Sequence, residues 1–151
     1  RTPGSQIFAN GRFTTSGDAQ AGRYLLRGVT VNAAESELFI DGTGMAGGTE
    51  RLILPDDATW TFKATITGHR TDVSDGHAGF VIEGVIYRVN GAATITLAGQ
   101  PIINVITRAD NAWDVKCYAD TTNGSLKLTV RGQTSKVIRW LACIDTVEIT
   151  N

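Results

Sequence analysis

The densest run of groups able to do chemistry lies between Gly68 and His77, GHRTDVSDGH. Here His69 and His77 bracket Arg70, Asp72 and Asp75. Two imidazoles beside Asp72-x-x-Asp75-Gly76 offer donors for Ca²⁺ or Zn²⁺, yet the spacing matches neither the calcium loop D-x-[DN]-x-[DN]-G nor paired zinc motifs. No metal and no cofactor is expected. Structurally the run reads as a polar turn whose side chains bond their own backbone. The same side chains also suit direct hydrogen bonds to sugar hydroxyls, and these five residues are the first candidates for ligand contact.

Glycan binding further needs an aromatic platform for the sugar's apolar face and planar polar groups for its hydroxyls. Tyr118, between Lys116 and Asp120 on the polar face of a predicted hairpin, is the expected platform. Arg108, Asp110 and Asn111, in a polar loop over 107–111, are second candidates, and the glycine-dense segment 42–49 is a third loop of the same kind. Loops that vary without disturbing a scaffold are where specificity is expected.

Catalysis finds less support. Polysaccharide hydrolysis needs two carboxylates about 5 to 9.5 Å apart across a cleft; Asp72, Asp75, Glu83 and Asp145 are present, but the sequence does not pair them. No Gly-x-Ser-x-Gly elbow or Cys/His pair occurs, and segment 42–49 lacks the Lys-Ser/Thr and helix of a phosphate-binding loop. A self-cleaving chaperone would need an activated nucleophile near the start; Ser5, Thr14, Thr15 and Ser16 have no base beside them. The chain is expected not to be an enzyme. Asn123-Gly124-Ser125 is a formal glycosylation sequon whose turn role explains it.

The elements that must position these groups are strands. Trp113, Val115, Cys117 and Ala119 alternate with polar residues, as do Leu126, Leu128 and Val130, and Asn123-Gly124 between them signals a two-residue hairpin turn. That turn predicts Asp120 opposite Lys127 and Cys117 opposite Val130, and it sets Lys116 against Arg131. Further strands are expected over 22–31, 36–41, 51–54, 59–67, 78–89, 93–98, 102–107 and 136–150, with a short turn at 7–13. Segment 59–67 is apolar on one face only, whereas 78–89 and 102–107 are apolar on both and must be covered on both. No segment of helix length has a 3.6-residue period. Turn signals every 8 to 15 residues or so indicate an all-β, antiparallel sandwich of jelly-roll type.

Composition sets the bounds. The 151 residues fit one domain over 6–151, with residues 1–5 read as linker, since the chain starts at Arg1 without a pattern. Fourteen basic and fifteen acidic residues without blocks give no electrostatic footprint for nucleic acid or membrane. Charged residues make up 19%, below the usual quarter or so, which hints at surface buried against other subunits. Cys117 is expected to be a small core residue; Cys143 has ambiguous facing, so whether the two pair stays open.

Several pieces resemble a known domain: AGRYLLRG (21–28), ELFIDG (37–42), LPDDATWTFKATITGHRTD (54–72), GFVIEGVIYR (79–88), AWDVKCYADTTNGSLKLTVRG (112–132) and VIRWLACIDTVEI (137–149). Together they are similar to the C-terminal tip domain of phage and phage-derived tail fibres and related trimeric bacterial fibre adhesins. The resemblance implies a homotrimeric, receptor-binding fibre tip on a virion or bacterial surface, with a cell-surface glycan as the expected ligand. Trp60, Trp113 and Trp140 then read as core anchors and Gly124 as a backbone requirement. The alternatives are a structural cap that trimerises the fibre and binds nothing, and a polysaccharide-degrading spike domain.

Overall fold

The computed structural model describes residues 5–44 and 50–151, so 45–49 of the glycine-dense loop and the first four residues of the expected linker lie outside the described residues. The strands are β1 (Ser5–Gly11), β2 (Ala19–Thr30), β3 (Glu35–Glu37), β4 (Leu52–Ile53), β5 (Ala58–Arg70), β6 (His77–Arg88), β7 (Thr96–Leu97), β8 (Ile102–Arg108), β9 (Asp114–Asp120), β10 (Ser125–Arg131) and β11 (Ile138–Thr150). Among the described residues the helical content is a single 3₁₀ turn at Ala92–Thr94. The all-β, antiparallel expectation holds.

The large sheet runs β1-β2-β11-β5-β6, with β7 and β8 both on the far side of β6. The small sheet centres on β10, with β9 on one side and β3 and β4 on the other. In β5 and β11 every second side chain is buried and the others are exposed, the period-2 signature of a sheet with one core face and one open face. Trp60, Trp113 and Trp140 are core anchors, as expected. The rings of Trp113 and Trp140 meet edge-on at 5.8 Å, and Tyr24 stacks on Trp60 at 6.0 Å. The buried Trp140 indole donates to Thr30 Oγ1 at 2.9 Å. Each fully buried Phe, Leu or Ile in this layer contributes about 1.5–3 kcal/mol.

The two strands expected to be apolar on both faces behave differently. In β6, Phe80, Ile82 and Ile86 are fully buried while Val81, Val85 and Tyr87 on the outer face are half-covered. In β8 neither face is covered: Ile102 and Ile106 stay 61% and 66% exposed, and Ile103 and Val105 are exposed as well. This strand pairs with β6 along one edge only.

Two local readings are corrected. The β9–β10 hairpin pairs Asp120 with Ser125, Tyr118 with Lys127 and Cys117 with Leu128, two residues from the expected register. The cause is Asp120, whose carboxylate accepts the Thr122 and Asn123 amides at 3.0 and 3.2 Å and whose carbonyl accepts the Gly124 amide at 2.8 Å, closing a four-residue loop. Gly124 takes φ 68°, and Asn123 does not need a positive φ. The even shift keeps every apolar residue on its face, and Arg131 now faces Asp114 rather than Lys116. The segment read as a turn at 7–13 is mostly strand β1, with Ser5 opposite Tyr24. The turn follows it: the Asp18 carboxylate accepts the amides of Phe13, Thr14 and Thr15 at 2.8, 2.6 and 2.7 Å. Both cysteines are free, Cys117 in the core and Cys143 half-exposed on β11.

Candidate functional site

The stretch expected as a polar turn keeps its turn over 71–76, but its two ends belong to strands. β5 continues to Arg70, opposite Ile138 of β11, and β6 starts at His77, opposite His69. The strand continues through Gly68, where the Trp140 indole leaves no room for a side chain: a Cβ there would come within 2.6 Å of the ring. The hairpin closes where the Arg70 amide donates to the Gly76 carbonyl at 2.8 Å, and the Thr71 amide donates to Val137 at 3.1 Å.

This geometry gathers most of the first candidates at one end of the large sheet. His69 and His77 stand side by side on neighbouring strands, both exposed. Arg70 Nε and Nη2 donate to the two Asp72 carboxylate oxygens at 2.9 and 2.7 Å. This fork holds the Asp72 carboxyl below the usual carboxylate range and raises Arg70 above its ordinary value. Asp75 lies in the same turn, exposed. A cleft of about 450 Å³ opens here, lined by His69, Arg70, Thr71, Asp72, Val73, Ser74 and Arg139.

Arg139 escaped the sequence reading. It sits on β11 opposite His69, an adjacency between segments far apart in the chain that no local spacing reveals. The signal was the alternation of the last strand, which puts Arg139 on the face opposite Trp140. Arg139 also lines a second hollow of about 270 Å³ with Arg27, Val29, Asp41, Gly42 and Thr43. The start of the glycine-dense loop therefore adjoins the cleft.

The second candidates divide. The 108–111 loop borders His77, since the Ala109 amide donates to the His77 carbonyl at 3.0 Å. Within it Arg108 donates to the Trp113 carbonyl at 3.2 Å, and Asp110 accepts the Ala112 amide and the Gln133 amide group at 2.7 and 3.1 Å. These two side chains hold the loop together, while Asn111 is exposed. Tyr118 lies on the small sheet, away from this cluster. Its hydroxyl donates to Glu35 at 2.7 Å, and Glu35 also accepts Thr129 Oγ1 at 2.6 Å. The two bonds, Thr129's first, lower the Glu35 carboxyl.

Of the four carboxylates considered for hydrolysis, Glu83 and Asp145 share the outer face. Lys63 stands between them, opposite Asp145 on β11 and Glu83 on β6. A groove of about 470 Å³ runs beside this row, over Val85, Gln100, Ile102 and Val147. Two strand spacings put the backbones about 9.5 Å apart. Among the described residues no cluster of three or more His, Cys, Asp or Glu has the geometry of a metal site.

No family model matches the chain, and no curated protein matches it in sequence. The fold is similar to that of a phage tailspike. One match is to the crystal structure of the tailspike protein gp49 from Acinetobacter baumannii bacteriophage Fri1, a capsular polysaccharide depolymerase, with TM-score 0.50 and 17% identity. It covers 97% of this chain and 20% of that one, so the chain spans about a fifth of the tailspike's length. The likeness is one of fold alone.

The expectation that the chain is not an enzyme is corrected by this likeness, because the tailspike is described as a depolymerase. Strand alternation could not show Glu83 and Asp145 in one row, since they belong to strands separated by β5. No helix among the described residues is long and apolar enough to cross a membrane.

Proposed function

We propose that this chain is a polysaccharide-engaging unit of a phage tail spike or tail fibre. The observation that carries the reading is the cleft at the β5–β6 turn, where Arg70, Asp72, His69 and Arg139 present planar polar groups around a volume of about 450 Å³. That size is within the range of small-molecule sites. The fold likeness to a tailspike supports the phage-tail assignment. Asp75, His77 and Asn111 border the same end of the sheet, and Tyr118 drops to a separate surface.

The unit works as a homotrimer on the virion tail. Support comes from β8, whose exposed isoleucines and unpaired edge form a surface that a lone chain leaves bare. Weak single-site contacts then gain strength from three tethered copies.

A second reading, cleavage of the polysaccharide by this unit, is favoured by the Glu83–Lys63–Asp145 row and its groove. An inverting pair holds its carboxyl groups about 6.5–9.5 Å apart with a water between them, and Glu83 and Asp145 stand on the same face with one strand between them.

The test uses purified capsular polysaccharides, with binding read by biolayer interferometry and cleavage by release of reducing ends. Asp72→Ala combined with His69→Ala should abolish binding in a protein with an unchanged melt. Full binding by that variant would remove the cleft from the site. Loss of reducing-end release in both Glu83→Gln and Asp145→Asn would support the second reading, and release unchanged in both would end it.

A further inference from the structure

The outer face of the large sheet carries two charged rows, and only one is balanced. Arg23, Asp145, Lys63 and Glu83 stand side by side on β2, β11, β5 and β6 with alternating sign. They pair internally, Arg23 with Asp145 at 2.7 Å and Lys63 with Glu83 at 3.6 Å. Further along the same strands stand Arg139, His69 and His77, again on β11, β5 and β6. This second row contains no carboxylate, and among the described residues no carboxylate forms an ion pair with any of the three.

The nearby carboxylates are engaged elsewhere or stand apart: Asp41, which lines the second hollow with Arg139, accepts the Thr43 and Gly44 amides at 2.9 and 2.8 Å. On the β2 side Arg139 is flanked by Val29, and on the β8 side Arg108 comes opposite Ala78, next to His77. Asp72 is engaged by the Arg70 fork and also feels Lys136. Asp110 is held by the Ala112 amide and Gln133. Asp75 is the exposed carboxylate of the turn, and its field falls on Arg70. The row thus offers an exposed guanidinium fork and the His69 imidazole in the cleft lining, with the His77 imidazole beside them on β6.

We propose that the Arg139–His69–His77 row receives an acidic group of the polysaccharide, a carboxylate or a sulfate or phosphate ester on a sugar. The inference rests on the polysaccharide-engaging reading and specifies its ligand class. Arg139 takes the anion in its planar fork, which fits two oxygens at once. His69 and His77 add hydrogen bonds from their exposed ring nitrogens. Because Arg139 lines both hollows, a chain lying across them passes its acidic group over the guanidinium.

The experiment measures binding of the full chain to a panel of purified acidic capsular polysaccharides, each in native and carboxyl-reduced form, with sulfate- or phosphate-bearing members also desulfated or dephosphorylated. Removal of the acidic group is expected to weaken binding at least tenfold, and the arm that does so identifies the anion. Arg139→Gln should give a similar loss with an unchanged melt, and Arg139→Lys a partial recovery. His69→Ala with His77→Ala should weaken binding severalfold with an unchanged melt. Equal binding of native and neutralised polymers overturns the proposal and leaves the polysaccharide reading standing. Binding to no member overturns both. Anion-dependent binding that ignores Arg139→Gln and both histidine changes places the acidic group elsewhere and refutes this row.

Discussion

The buried Glu148 carboxylate accepts the Tyr24 hydroxyl at 2.7 Å, joining β11 to β2 on the core side of the large sheet. Thr146 Oγ1 donates to the same oxygen at 2.5 Å, and the Gln20 side chain donates to the other. Burial first, and the Glu148 bond second, raise the Tyr24 hydroxyl above its ordinary value. Tyr24→Phe leaves a buried carboxylate short of one donor and is expected to cost about 1–3 kcal/mol, read as a shift of the urea midpoint.

Asp18 should make the fold acid-labile. Its carboxyl is held below the usual range, chiefly by the Thr14 amide with further help from Thr15 and Phe13. A depressed folded-state value means the stabilisation is complete above the unfolded carboxylate range, near pH 3.9, and is lost as pH falls through the folded value. Asp18→Asn should be less stable than the parent at pH 7, with the gap narrowing below about pH 4. Thermal melts across pH 2.5–7 check this.

Asp120 sets the register of the β9–β10 hairpin. Asp120→Ala removes the acceptor of two backbone amides and of the Asn123 side chain at 2.7 Å. The expected loss is about 1–2 kcal/mol, with strand pairing retained because the apolar faces stay matched. A denaturant series and amide exchange across 114–131 measure both parts.

β8 supplies the test of assembly. Ile106→Lys places a charge on an exposed edge residue and should leave the monomer's melt nearly unchanged. Light scattering is expected to show a trimeric mass for the parent and a smaller one for the variant.

The sequence carried the layers well because alternation survives any even register error, as the β9–β10 hairpin demonstrates. It read the site only in part. His69 and His77 flank one hairpin, so their adjacency was within local reach once β5 was extended past Gly68. That extension is carried by pairing with β11, a distant segment whose Trp140 ring occupies the space a side chain at Gly68 would need. Arg139 reaches the cleft through the same distant pairing. Tyr118 looked like a free platform because nothing local shows that Glu35, on another strand of the small sheet, takes its hydroxyl.

The position of β11 bears on synthesis. This strand lies between β2 and β5 and pairs with both along most of its length, yet it follows every other described strand in sequence. A nascent chain emerging from the ribosome therefore exposes two long, half-apolar edges until residues 138–150 are clear of the exit tunnel. Early release of the polypeptide would leave the large sheet split in two, and such a product should be a substrate for chaperones and proteases rather than a competitor for assembly.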